Sequence, residues 1–174
     1  YLEFSRPPEA LTVQPPIVIL GMIASPNDRT ALNVDHEILR MEQATSGLQA
    51  AGVAACAKHF PGHGDTSQDS HRDLPRLPHA LDRLERVELA PFRALARAGV
   101  ASVMTAHVVF EALDPVRPAT LSPAVMRLLR ERVGFDGCAI SDDLEMKAVA
   151  EHFPLEVSAP GAVDDLKRRK GMIV

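Results

Sequence analysis

Four apolar runs punctuate the chain: Ile17 to Ile23, Val53 to Ala57, Val100 to Thr105 and Gly137 to Ile140. Each is short, partly β-branched or small, and bounded by turn residues, so each predicts a buried strand. Their apolar positions are continuous rather than alternating. Continuous runs belong to strands covered on both faces, the habit of parallel sheets with helical crossovers. Between the runs the apolar period becomes helical. Ile38, Met41, Leu48 and Ala51 predict a helix from Asp35 to Ala51, with Asn33 or Asp35 able to cap its start and Gly52 following its end. Leu81 to Ala98 predicts a second helix, which Pro91 kinks or restarts. A third opens at Ser122-Pro123, an N-cap followed by a first-turn proline, and carries Val125, Leu128 and Leu129 to a stop before Gly134. Strands alternating with helices predict an α/β fold.

Composition agrees with one packed unit. With 174 residues, 46% apolar and 24% charged, the chain has the size and balance of a single globular domain. That domain is assigned to 1–174, with 1–16 and 154–174 as its poorly determined ends. Arg6-Pro7-Pro8 and Pro15-Pro16 make the first segment extended, and the charged run Asp164 to Lys170 reads as a solvated tail or helix. The net charge of −4 gives no electrostatic footprint for nucleic acid or for an anionic membrane. No apolar run approaches the roughly 20 residues of a membrane span, and the start lacks the pattern of a signal peptide. Cys56 and Cys138 lie far apart within apolar stretches, which predicts buried thiols in a reducing, cytoplasmic setting rather than a disulfide framework.

The polar residues concentrate where the strands end. Val53 to Ala57 is followed by Lys58-His59, Val100 to Thr105 by His107, and the last run by Asp142-Asp143. Titratable groups at one edge of a parallel sheet occupy the edge where ligands bind, in barrels and open sheets alike. The densest group is the loop from Lys58 to His71, which holds three of the seven histidines and two glycines. Its length exceeds that of a simple strand-to-helix link, as in functional loops. His59, His63, Asp65, Asp69 and His71 are competent metal ligands, yet neither a His-x-x-x-His on a predicted helix nor a nearby Cys pair accompanies them, so no metal is assigned. The other reading is acid/base chemistry by Asp69-Ser70-His71, where a carboxylate fixes the imidazole tautomer and leaves its second nitrogen to exchange a proton near neutral pH.

Taken together, the run K-H-F-P-G-H-G-D-T-x-x-D-S-H from Lys58 to His71 and the later Ser141-Asp142-Asp143-Leu144-Glu145-Met146 resemble the signature of glycoside hydrolase family 3. More narrowly, they resemble the bacterial β-N-acetylhexosaminidases that release N-acetylglucosamine during peptidoglycan recycling. The similarity extends from about Asp28 to about Phe153, including Met104-Thr105-Ala106-His107-Val108. The resemblance implies a TIM-type barrel, of which this chain would carry about half of the eight βα units. It also implies retaining hydrolysis through a covalent glycosyl-enzyme, with Asp142 as nucleophile and Asp143 its rival. His71 would be the general acid/base and Asp69 its partner, while Lys58, His59 and Arg29 would bind the sugar. No cofactor is implied; the partner is a carbohydrate, without nucleic acid or membrane.

The chain also departs from the family pattern. Gly21 stands where the family strand commonly carries an Asp, and Asn27 to Leu32 lacks the aromatic and glycine that usually follow the arginine. A full barrel typically takes about 250 residues. A half-barrel would expose strand edges, so the alternative expectation is an inactive remnant that binds sugar weakly or associates with another chain or copy.

Overall fold

The computed structural model describes residues 17–21, 34–63, 66, 73–153 and 172–173. In chain order they form β1 (Ile17–Gly21), α1 (Val34–Ala50), β2 (Ala54–Phe60), β3 (Arg76–Leu77), α2 (Leu81–Arg86), α3 (Leu89–Arg97), β4 (Ser102–Thr105) and β5 (Val109–Phe110). A 3₁₀ turn (Ala119–Leu121), α4 (Pro123–Arg127) continuing into a π-helical turn (Leu128–Val133), β6 (Cys138–Ser141), α5 (Lys147–Ala150) and β7 (Met172–Ile173) follow. The main sheet is parallel throughout, in the order β1-β2-β4-β6-β7. That order advances in one direction, whereas a doubly wound sheet reverses at its switch point. A steadily advancing parallel sheet with intervening helices is an arc of a (β/α) barrel, the partial TIM-type fold expected from the sequence.

The strands expected from apolar runs are present with shifted ends. The second extends through Lys58, His59 and Phe60, so these residues are part of the strand rather than the loop after it. The expected first strand is seen as far as Gly21, and its last two residues lie outside the described set. Pairs β3·β5 and strand β7 are additions to the expected set. The segments assigned as ends, 1–16 and 154–174, lie outside the described residues except for β7.

The helices follow the sequence signals. The expected second helix is two: Pro91 has no N–H for a bond to Val87 and its ring crowds that carbonyl, so α2 stops at Arg86 and α3 restarts at Leu89. Ser122 caps α4, its hydroxyl accepting from the Val125 amide at 3.4 Å, with Pro123 in the first turn. The π-helical turn closes on Gly134, whose φ of 77° a side chain would strain. Gly137 meets a different demand: a Cβ there would lie 2.7 Å from the Ala101 carbonyl oxygen and 2.6 Å from the Phe135 ring, so only glycine lets the chain enter β6 beside β4.

The core lies between the sheet and its helices. Ala55, Ala57, Phe60, Val103 and Ala139 from the strands pack with Leu84, Leu89, Phe92, Leu95, Val125 and Leu129 from the helices. Phe60 and Phe92 meet edge to face with centroids 4.9 Å apart, which ties the end of β2 to α3. Leu121 and Val149, with Leu144 and Phe153 against them, form a smaller cluster beneath the segment after β6. Among the described residues no helix is long and apolar enough to cross a membrane.

Candidate functional site

Parallel strands deliver their C-terminal ends to one rim, and three of them bring chemistry there. Lys58 and His59 lie at the end of β2, His107 follows β4, and Asp142 and Asp143 follow β6. The ladder between β2 and β4 shifts register between Lys58 and Phe60, leaving His59 as an extra residue opposite β4. Such a bulge re-aims the side chain it carries. Here the His59 ring reaches across to β6, and its Nε2 lies 3.2 Å from Asp142 Oδ2. A carboxylate can only accept, so this nitrogen carries the proton.

Asp142 is held at its other oxygen as well. The Asp143 amide donates to Asp142 Oδ1 at 2.9 Å. Half-burial by itself would raise this carboxyl's pKa; the His59 hydrogen bond, the Asp143 amide and the electrostatic influence of the neighbouring His59 and His107 outweigh it and bring it down to about 2. The group is therefore an anion across the neutral range. The Asp143 carboxylate is engaged in a local turn instead, accepting from the Glu145 amide at 2.9 Å.

His107 is buried to 1% exposure and bonded at both nitrogens. Nε2 lies 2.8 Å from the Asp143 carbonyl oxygen and Nδ1 lies 2.9 Å from Thr120 Oγ1. Burial is the main influence on its pKa and pushes it below the ordinary histidine value, against the Asp143 carbonyl and the two carboxylates Asp142 and Asp143. Nothing in its spacing distinguishes it from an ordinary core histidine. Thr105 and Thr120, which complete its surroundings, carried no signal because single threonines in apolar runs are common in strands.

The histidine loop is described at both ends. His63 sits beside His59, ring centroids 5.6 Å apart at 58°, and the Thr66 hydroxyl donates to the His63 carbonyl at 3.1 Å. At its far end the loop is stitched to the segment after β4 through β3·β5, extended by Val109 N–H to the Pro75 carbonyl (2.9 Å) and Glu111 N–H to the Leu77 carbonyl (3.1 Å). His152 Nε2, beyond α5, lies 3.3 Å from Asp73 Oδ1. Of the candidate residues, the structure thus brings His59 and Asp142 together and places Lys58 beside them on β2, in register with Gly21 and Met104. Arg29, Asp69 and His71 lie outside the described residues. Among the described residues no three His, Cys, Asp or Glu side chains converge on a metal-sized site; Asp65 also lies outside them.

Residues 36–165 match the model of the glycosyl hydrolase family 3 N-terminal domain. A β-hexosaminidase of Alkalilimnicola ehrlichii is 47% identical over 120 residues, 68% of this chain and 34% of that protein. The chain thus spans about a third of the length of such curated relatives. A family 3 β-N-acetylglucosaminidase from a Paenibacillus species superposes with a TM-score of 0.71 at 49% identity, covering 76% of this chain and 25% of that one. NagZ from Neisseria gonorrhoeae, in complex with N-trifluoroacetyl-D-glucosamine, superposes with a TM-score of 0.62 at 37% identity, covering 75% of this chain and 36% of that one.

Proposed function

The chain belongs to glycosyl hydrolase family 3, and from that premise we propose that it carries the site of a retaining β-N-acetylhexosaminidase. Its substrate would be terminal β-linked N-acetylglucosamine on peptidoglycan fragments. The observation that carries this reading is Asp142, an anion at the end of β6 oriented through one oxygen by His59 and through the other by the Asp143 amide. Each oxygen keeps a lone pair for attack. The amino-sugar preference draws on the relatives, which are described as β-hexosaminidases and β-N-acetylglucosaminidases. Both thiols are free, Cys56 buried as expected and Cys138 only partly buried; free thiols suit a reducing compartment, and we place the protein in the cytoplasm.

The chemistry runs in two steps. Asp142 attacks the anomeric carbon while the glycosidic C–O bond breaks, and His71 donates its proton to the departing oxygen. His71 then accepts a proton from water, whose oxygen displaces the Asp142 carboxylate from the same carbon. Most retaining enzymes use two carboxylates about 5 Å apart, one of them raised in pKa to act as the acid. An imidazole of ordinary pKa about 6.5 serves both proton transfers without that shift. Asp69 would fix its tautomer, and Lys58, His59 and Arg29 would hydrogen-bond sugar hydroxyls, Lys58 and Arg29 as donors and His59 through the lone pair of Nδ1. These assignments for Arg29, Asp69 and His71 rest on the sequence motifs.

The test is trapping. Incubation with a fluorinated N-acetylglucosaminyl fluoride, followed by mass spectrometry of the peptides, is expected to place one sugar on Asp142. Asp142→Asn should abolish labelling and turnover of an aryl β-N-acetylglucosaminide, while Asp143→Asn should leave the label on Asp142. A label on Asp143, or neither label nor turnover in the wild-type chain, overturns the reading; the latter would leave a piece that at most binds sugar or associates.

A further inference from the structure

Asp142 is aimed by its neighbour, and its neighbour is fixed from below. The Asp143 amide holds Asp142 Oδ1, so the direction of the Asp142 carboxylate depends on where residue 143 sits. Residue 143 is tied down through its carbonyl oxygen, which accepts from His107 Nε2 at 2.8 Å and from the Met146 amide at 3.1 Å. The His107 bond comes from the segment just after the neighbouring strand β4 and is not local to the turn. We propose that His107 is a positioning residue: its Nε2–H locks the Asp142-Asp143 turn to β4 and so holds Asp142 in its attacking orientation. This rests on the reading of Asp142 as nucleophile.

The hydrogen bonds around His107 allow one assignment of protons for a neutral ring. A carbonyl cannot donate, so Nε2 carries the hydrogen towards Asp143. Nδ1 must then accept, and the donor within reach is the Thr120 hydroxyl at 2.9 Å. That hydroxyl has one proton, so its 3.0 Å approach to the Ala106 carbonyl is left without it. The Thr105 hydroxyl lies 3.1 Å from Thr120 Oγ1 and 3.3 Å from the Ile140 carbonyl oxygen, its one proton shared between two acceptors within reach. The Asp143 carbonyl thus specifies the tautomer, the Thr120 hydroxyl completes the second hydrogen bond of the ring, and burial keeps the ring neutral.

Two substitutions separate positioning from packing. In His107→Gln the amide nitrogen reaches the place of Nε2 and can still donate to the Asp143 carbonyl; in His107→Asn the shorter amide stops near Nδ1 and cannot. With the 174-residue chain and the fluorinated glycosyl fluoride, His107→Asn is expected to slow labelling of Asp142 by about 100-fold at saturating reagent, with KM nearly unchanged, as for a small misplacement of a reacting group. His107→Gln should recover most of that rate. Labelling at the wild-type rate in His107→Asn, or equal losses in both variants, overturns the proposal. Amide exchange at Glu145 and Met146, with the ¹⁵N shifts of His107, gives a readout independent of activity. Wild type should show protonated Nε2, and exchange at both amides should quicken in His107→Asn but not in His107→Gln. If the wild type takes no label, the nucleophile reading fails, and unchanged exchange in His107→Asn would then overturn the anchor as well, whereas quickened exchange would uphold it.

Discussion

Asp142 sits where two opposing effects meet, and the balance fixes its titration. Burial favours the protonated form, while the His59 imidazole and the Asp143 amide favour the anion and prevail, giving a pKa of about 2. Because this lies below the ordinary carboxyl value of about 3.9 in an unfolded chain, the group stabilises the fold above that value, and the contribution is lost as pH falls towards the folded one. Removing the imidazole with His59→Ala should raise the Asp142 pKa by roughly one unit or more, read from the ¹³C shift of its carboxyl carbon. An unshifted titration would show that the 3.2 Å contact does not govern the anion. His107 has the opposite protonation preference with the same sign in pH. Its folded pKa is depressed, so its contribution is present above the unfolded value of about 6.5 and is lost as pH falls through the folded one. The groups facing it are Asp142 and Asp143, which resist the depression, and His59, which adds to it; burial outweighs them. Urea unfolding from pH 7.5 downwards should therefore show an acid loss of stability that is smaller in His107→Gln, and an identical pH dependence in the two proteins would contradict a buried neutral ring.

At the scale of elements, the segment from Ser122 to Ser141 carries the clearest local logic. A capped start, a π-helical turn, a left-handed Gly134 and a close-packed Gly137 deliver β6, and with it Asp142, beside β4. Arg130 reinforces the delivery, its Nη1 donating to the Phe135 and Gly137 carbonyls at 2.8 Å each while the guanidinium lies over the Phe135 ring. Gly137→Ala pushes a methyl into the Ala101 carbonyl, which is backbone and cannot swing away, so it should cost about 1–3 kcal/mol in denaturant unfolding. A neutral result would mean that β6 can slide without loss. The same segment marks what the sequence could express. Ser122-Pro123, Gly134 and the apolar run into β6 are local signals of propensity and are legible one residue at a time. The π-helical turn is not, since it depends on how Leu128, Leu129 and Val133 seat against the core. Arg76-Leu77 and Val109-Phe110 are equally silent: two residues are too few for a periodic pattern, and only the meeting of two distant loops makes them strands. In the site, Asp142 and His59 were legible because charged groups at the ends of apolar runs stand out, whereas the threonines around His107 became meaningful only through hydrogen bonds between β4, the 3₁₀ turn and the segment after β6.

At the scale of the molecule, a barrel removes its own edges by closing, and the described sheet is an arc with β1 and β7 outermost. Among the described residues each of these two strands has one neighbour, and a strand paired on one side only carries a row of backbone donors and acceptors on the other. Parallel strands are poorly suited to exposure, since their faces are apolar and normally covered by crossover helices. In β2 that character is explicit: Ala55, Cys56 and Ala57 are all buried in succession. A polypeptide of these 174 residues prepared by itself therefore has strong reason to pair its edges with those of a second copy. Such a pairing would preserve the rim geometry, because β2, β4 and β6 lie in the middle of the arc, flanked on both sides. Size-exclusion chromatography with light scattering is expected to give a mass above that of the monomer. Substituting lysine at Ile19, in the interior of outermost β1, should lower that mass while leaving the His59–Asp142 contact, which joins β2 to the end of β6, able to form. A wild-type chain that runs as a compact monomer would mean that its edges are covered from within, and the association would have to be abandoned.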